Sequence, residues 1–181
     1  MKKIIALIMA VSMAAVTLVS CGKYDDGEKF VKGEAAGGKY VNESIGIGFD
    51  IPDEFMSVEG LPSVAGVTYD ASLEDENGNS VFVVVETNEK KKKIDAVAKD
   101  AMTKLAEQYE KMGYTIEDSK IEDVTVDNKT FKGFSLKLVN GEDSVTQAGF
   151  FVKCDTKIAT VNVTGKTVDA KTFIKDNFFA A

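Results

Sequence analysis

The segment "SVFVVVETNEKKKKIDAVAKDAMTKLAEQYEKMG", Ser80 to Gly113, carries the reading of the fold. Val81 to Val85 are five consecutive apolar residues, too continuous for a strand with one wet face, and predict a central strand covered on both sides. The period then changes. Ile94, Val97, Ala98, Ala101, Leu105 and Tyr109 recur at three- and four-residue spacing, which puts one apolar stripe on a helix. Gly113 stands where a left-handed residue ends such a helix. A strand hidden on two faces needs a layer above and a layer below, and this helix supplies one of them.

Outward from that unit, the pattern is of strands and tight turns. "KYVNESIGIGFDIP", Lys39 to Pro52, reads as two strands joined at Asn42-Glu43. Val67, Tyr69, Ala71 and Leu73 alternate with Thr68, Asp70 and Ser72, the period of a half-buried strand, and Asn77-Gly78 turns it into Val81–Val85. Past the helix, Ile121–Val126 pairs through "DNK" with Phe131–Val139, Asn140-Gly141 leads into Val145–Cys154, and Asp155-Thr156 leads into Ile158–Val163. Thr167 is placed to cap a last helix carrying Phe173, Ile174 and Phe178. Short hairpins make the sheet antiparallel. The expected class is therefore α+β: a mostly antiparallel sheet of about six to eight strands sandwiched by two main helices, in the order ββββ-α-ββββ-α.

These residues resemble a known superfamily. "YVNESIGIGFDIPDEF", with Gly48-Phe49, Pro52 and Phe55, looks like the opening of PsbP/Mog1-like domains, as do "YTIEDSKIEDVTVDNKTFKGFSLKL" behind the long helix and the terminal helix. The likeness runs over residues 39–179 in element order. It implies an antiparallel sheet flanked by helices. Bacterial members are often small lipoproteins, plant and cyanobacterial ones assist photosystem II, and Mog1 binds a small GTPase, so the resemblance implies docking rather than catalysis. It transfers no functional residue.

The N-terminus gives an address. Met1-Lys2-Lys3 precedes an apolar run from Ile4 to Val19. That run is marginal for a span, which takes about 20 apolar residues, and has the layout of a secretory leader. Leu18-Val19-Ser20-Cys21 resembles the lipobox of bacterial lipoproteins, in which the Cys thiol is alkylated with diacylglycerol and the chain is cut just before it. The expected organisation is a signal peptide over 1–20, a flexible tether over 21–38 ("GKYDDGEKFVKGEAAGG" after Cys21), and a single domain over 39–181. Two acyl chains hold a protein stably on a bilayer. Gly22 is not the Asp that signals inner-membrane retention, so the expected place is the cell surface, or the outer membrane where one exists.

Composition narrows the chemistry. The 181-residue chain carries 22 basic and 29 acidic residues, and losing Lys2 and Lys3 with the leader leaves 20 against 29, a net charge of −9. An acidic chain argues against a nucleic-acid partner. All basic residues are Lys, and His and Trp are absent, which removes Ser-His-Asp and Cys-His catalysis and His-ligated zinc or copper. If lipid takes Cys21, Cys154 has no partner within the chain; in "GFFVKCD" it alternates with Phe150 and Val152 and reads as a buried, inert thiol.

Each candidate site has a bland reading beside it. Glu74, Asp75 and Glu76, with Asn77 and Asn79, offer oxygen ligands for calcium, but their spacing is not that of an EF-hand loop and Asn77-Gly78 is already a turn. No metal or other cofactor is expected. Lys90, Lys91, Lys92 and Lys93 are a candidate contact with lipid headgroups or wall polymers at ~1 kcal/mol per lysine, or else a solvated loop. Their charge opposes the dipole of the following helix, with Asp95 nearest to compensate. The pairs Glu117-Asp118, Glu122-Asp123 and Glu142-Asp143 suggest glycosidase carboxylates, yet neighbours on a strand face opposite ways. Asn42-Glu43-Ser44, Asn128-Lys129-Thr130 and Asn162-Val163-Thr164 match glycosylation sequons, which a bacterial lipoprotein does not use. The sequence thus points to a lipid-anchored, non-catalytic envelope module that binds or scaffolds a protein or envelope polymer. The alternatives are a histidine-independent envelope hydrolase and a small solute-binding lipoprotein.

Overall fold

A computed structural model describes residues 30–64, 66–88, 92–154 and 156–181. In chain order its elements are β1 (Glu34–Ala36), β2 (Lys39–Asn42), β3 (Ile47–Asp50), β4 (Met56–Ser57), β5 (Val67–Glu74) and β6 (Ser80–Thr87); α1 (Ile94–Lys111); β7 (Thr115–Val126), β8 (Lys129–Asn140), β9 (Asp143–Cys154) and β10 (Lys157–Gly165); then α2 (Ala170–Asn177) and β11 (Phe178–Ala180). Every strand pairing is antiparallel, as the hairpin turns require.

The expected α+β class and the central placement of Val81–Val85 hold, but the architecture is richer. Two sheets are present, one ordered β1-β2-β3-β11 and the other β4-β5-β6-β10-β9-β8-β7. The larger sheet has α1 on one face, against β7, β8 and β9. Its other face carries both α2 and the smaller sheet. The order ββββ-α-ββββ-α therefore becomes six strands, helix, four strands, helix, strand. The additional strands β1, β4 and β11 span only 3, 2 and 3 residues, too short for a period of two to register in sequence.

Strand β6 lies inside the large sheet. β5 and β10 flank it, and Val81, Val83 and Val85 point to the small-sheet side, where they meet Ile47, Phe49 and Phe178. Phe82 and Val84 point the other way, to the cluster under Val97, Ala101 and Leu105 of α1. Phe178, expected on the last helix, instead ends it and opens β11, opposite Phe49 of β3. Its ring stacks on Phe49 at 4.9 Å between centroids, so the chain's end closes the small sheet.

Local rules explain the ends of the helices. After α1, Gly113 takes φ 85°, and Tyr114 N–H donates to Tyr109 C=O at 2.9 Å, the left-handed terminator expected from sequence. α2 is capped by Asp169, whose Oδ1 accepts from Thr172 N–H at 2.8 Å, and not by Thr167. Thr167 is engaged elsewhere: its Oγ1 accepts from Asn79 Nδ2 at 2.7 Å, tying the β10–α2 loop to the β5–β6 turn.

Gly149 on β9 marks a close approach between strands of the large sheet. A Cβ there would sit 2.2 Å from Val161 C=O and 2.9 Å from the Phe134 ring. Gly149→Ala is therefore expected to cost about 1–3 kcal/mol in a denaturant titration. Gly141→Ala, in an open turn with φ 62°, meets no atom within 4 Å and carries only the left-handed penalty of about 1–2 kcal/mol.

Candidate functional site

The leader and Leu18, Val19, Ser20 and Cys21 lie outside the described residues. The first described residues, 30–38, form part of the stretch read as a tether, and they are built into the domain. Phe30 packs against the core cluster of the small-sheet side, with Lys157 Nζ 5.2 Å from its ring centroid. Residues 34–36 form β1 beside β2.

One carboxylate holds this segment. Asp70 accepts Gly33 N–H at 3.0 Å and Asn42 Nδ2 at 2.6 Å, and the Tyr40 hydroxyl donates to it as well. Asn42 Oδ1 in turn accepts Ile45 N–H at 3.2 Å. Gly33 fits because it lacks a side chain: a Cβ would lie 2.5 Å from the Tyr40 ring. Alternation in β5 would turn Asp70 to the side opposite Tyr69 and Ala71. A bulge intervenes, with register passing from Tyr69↔Val84 directly to Ala71↔Val83; it leaves Asp70 unopposed, on the small-sheet side, and divides the expected single apolar face, Val67 and Tyr69 packing on the α1 side and Ala71 and Leu73 on the small-sheet side. Sequence reading missed this clasp because a bulge leaves no periodic trace. Burial, then the adjacent Asp70, push the Tyr40 phenol far above its ordinary value.

The expected oxygen cluster is a folded turn. Asp75 is buried, its Oδ1 accepts Asn77 N–H at 2.8 Å and Asn79 N–H at 2.9 Å, and its Oδ2 accepts Asn79 Nδ2 at 2.6 Å. Glu74 ends β5, and Glu76 is exposed in the turn. Among the described residues no group of three or more acidic, Cys or His side chains is arranged to hold a metal.

Of the basic run, Lys90 and Lys91 lie outside the described residues. Lys92 N–H donates to Asn88 Oδ1 at 2.9 Å, and Lys92 C=O accepts Asn88 Nδ2 at 3.0 Å, which fixes the approach to α1. Lys92 Nζ pairs with Asp100, and this hydrogen bond holds the Asp100 carboxyl below its usual range. Asp95 stands in the first turn, as expected, and Asp100, five residues further along, pairs with Lys92. Lys93 occupies the N-cap in extended conformation, with no side-chain cap.

The carboxylate pairs diverge as strand geometry demands. Glu122 meets Lys171 of α2 at 2.9 Å, and its neighbour Asp123 meets Lys132 of β8. Glu117 pairs with Lys137 and Asp118 with Lys120, each at 2.7 Å. Asp143 lies 3.7 Å from Lys166. Such exposed pairs hold charge in place and contribute little stability. Cys154 is half-buried against the small-sheet cluster, less enclosed than expected, and its thiol donates to Ser44 C=O at 3.1 Å. No described helix is long and apolar enough to cross a membrane.

The fold defines an α+β protein of two antiparallel sheets with a helix on each side of the larger one. In that class it is similar to cyanobacterial PsbP (CyanoP) from Synechocystis sp. PCC 6803, at 12% identity and a TM-score of 0.50, over 89% of this chain and 99% of that one. The chain thus has a PsbP-like fold. LpqN of Mycobacterium tuberculosis, described as involved in cell envelope biogenesis, aligns at 14% identity and a TM-score of 0.45 over 74% of this chain and 82% of that one. No family model matches the chain, and no curated protein matches it.

Two outcomes follow from the clasp and the buried phenols. Asp70→Ala strands the buried Tyr40 hydroxyl and Asn42 amide, an expected loss of about 1–3 kcal/mol, with faster hydrogen exchange at the Gly33 amide. Burial also raises the Tyr69 and Tyr109 phenols. A phenol raised in the folded state stabilises below its unfolded value near 10, and that contribution fades as pH climbs towards the folded value. With no His in the chain, denaturation midpoints followed against pH are expected to fall above about pH 10.

Proposed function

We propose that this chain is a lipid-anchored envelope protein whose folded domain is a non-catalytic module that binds or scaffolds a partner. The observation that carries the placement is Leu18-Val19-Ser20-Cys21 at the end of a basic and apolar leader. In this reading Cys21 is the first mature residue, and two acyl chains on its thioether-linked glycerol hold the protein outside the cytoplasm.

The domain is suited to a short leash. Phe30, the first described residue, packs on the domain, and nine residues such as 21–29 span at most about 30 Å when fully extended. The Asp70 clasp and β1 then transmit the pull to the small sheet, and the domain meets the membrane with the edge carrying Phe30, Lys32 and Lys157 nearest. The non-catalytic reading draws support from the carboxylates. Asp75 organises a turn, Asp70 a clasp, and Glu117, Asp118, Glu122 and Asp123 each face a lysine.

Mass spectrometry of the membrane fraction is expected to find the chain beginning at Cys21 with a diacylglyceryl thioether. Cys21→Ala is expected to leave the leader uncut. A wild-type chain that keeps its leader, or shows an unmodified sulfur at residue 21, contradicts the placement. Affinity capture from detergent-solubilised membranes tests the role: a stoichiometric protein partner supports it, and a co-purified small molecule favours a solute-binding lipoprotein.

A further inference from the structure

Strand β7 is the long open edge of the large sheet. The other edges of the two sheets are β1, β4 and β11, of 3, 2 and 3 residues, whereas β7 runs for 12. β8 pairs along one side of it, and among the described residues no strand, loop or turn bonds through its backbone to the other side. Eight of its twelve residues are exposed, and near its middle Ile121 is 44% exposed. An open strand of this length is a template for another strand, and natural edges are kept short, interrupted by Pro or bent by bulges to prevent that. β7 has no Pro, and its register shift lies near its start, between Ile116 and Asp118, which leaves Asp118 to Val126 regular.

Charge does not guard this edge either. The chain carries a net −7, yet each carboxylate of β7 faces a lysine: Glu117 meets Lys137, Asp118 Lys120, Glu122 Lys171 and Asp123 Lys132. A second copy therefore meets a charge-balanced strand.

Sequence and register then fix how two copies fit. Antiparallel neighbours share a face, so a two-fold axis between two β7 strands passes a residue that stands opposite itself. Ile121 and Ser119 lie opposite Phe134 and Leu136 of β8, on the α1 side, while Val124 packs on the small-sheet side with Lys120 and Glu122 in line with it. With the axis at Ile121, Lys120 stands opposite Glu122 of the second copy, and Glu122 opposite Lys120 of the second copy. On the α1 side Ile121 meets Ile121, and each Ser119 hydroxyl faces an Asp123 carboxylate that accepts from it. An axis at Lys120 instead sets Asp118 against Glu122 and Glu117 against Asp123. An axis at Ser119 sets Ile121 against Glu117, inside the register shift.

We propose that β7 is a self-association edge, on which a second copy of this chain pairs antiparallel about Ile121 and continues the seven-stranded sheet into its own. The opposite charges across the axis and the exposed isoleucine at its centre select this occupant. The proposal is independent of the lipid anchor.

Light scattering on the full chain in detergent micelles, over a dilution series, reads the association. Wild type is expected to run as two chains per particle and to dissociate on dilution. Lys120→Glu and Glu122→Lys each put like charges across the axis and are expected to weaken pairing by about tenfold or more. Mixed in equal amounts, the two variants form a pair in which each of these charges meets its opposite, and the dimer is expected to return. The intrachain pairs that the reversals break, Lys120 with Asp118 and Glu122 with Lys171, stay broken in that mixture, so recovery reads the contact between copies alone. If either variant does not fold, Ile121→Asp is expected to run singly. A wild-type chain found singly at every concentration, dimers that survive these substitutions, or a mixture that stays monomeric overturns the proposal. Single chains whose β7 amides slow in exchange only when membrane extract is added put a different protein on this edge and overturn it equally.

Discussion

Strand β6 has no face to give to water. Val81 to Val85 are all at most 2% exposed, so three of them need cover on one side of the sheet and two on the other. Each such side chain contributes about 1.5–3 kcal/mol when buried, and a bare face would forfeit several of these at once. The amphipathic α1 is one cover. The other is composite: α2 together with β2, β3 and β11, a small sheet whose Tyr40, Phe49 and Phe178 form a stack of rings over β6 and β10. The small sheet is thus a wall of the core.

That requirement explains the handling of both chain ends. β11 closes the small sheet along β3, and its Ala180 N–H is held by Asp127 Oδ2 at 2.7 Å. On the other edge, the clasp at Asp70 draws the incoming segment onto β2 and β5. A domain pulled from its N-terminus therefore takes the load where the small sheet meets the large one.

The parts legible in sequence are those with a long period or a strict turn. Val81–Val85, the 18-residue α1, and the hairpins at Asn77-Gly78 and Asn140-Gly141 all follow from patterns that few other structures can satisfy. What escaped is short or compensated by distant partners. Phe178 has the spacing of a helical residue, and only its partner Phe49, far away in sequence, makes it a strand. Asp70 looks like an outward residue until the distant Tyr40 and Asn42 meet it, and Thr167 looks like a cap until Asn79 takes it. Asn162 and Gln147 are the hardest case. Polar residues in alternating strands read as solvent-facing, and nothing local reveals that a second layer lies over them.

The small sheet is part of the core and unfolds only with it. Native-state hydrogen exchange at increasing denaturant measures this directly, amide by amide. Slow amides of β2, β3 and β11 are expected to exchange on the same isotherm as those of β6 and β10, at the free energy of global unfolding. Small-sheet amides that exchange through a separate, cheaper opening while β6 and β10 stay protected would contradict it.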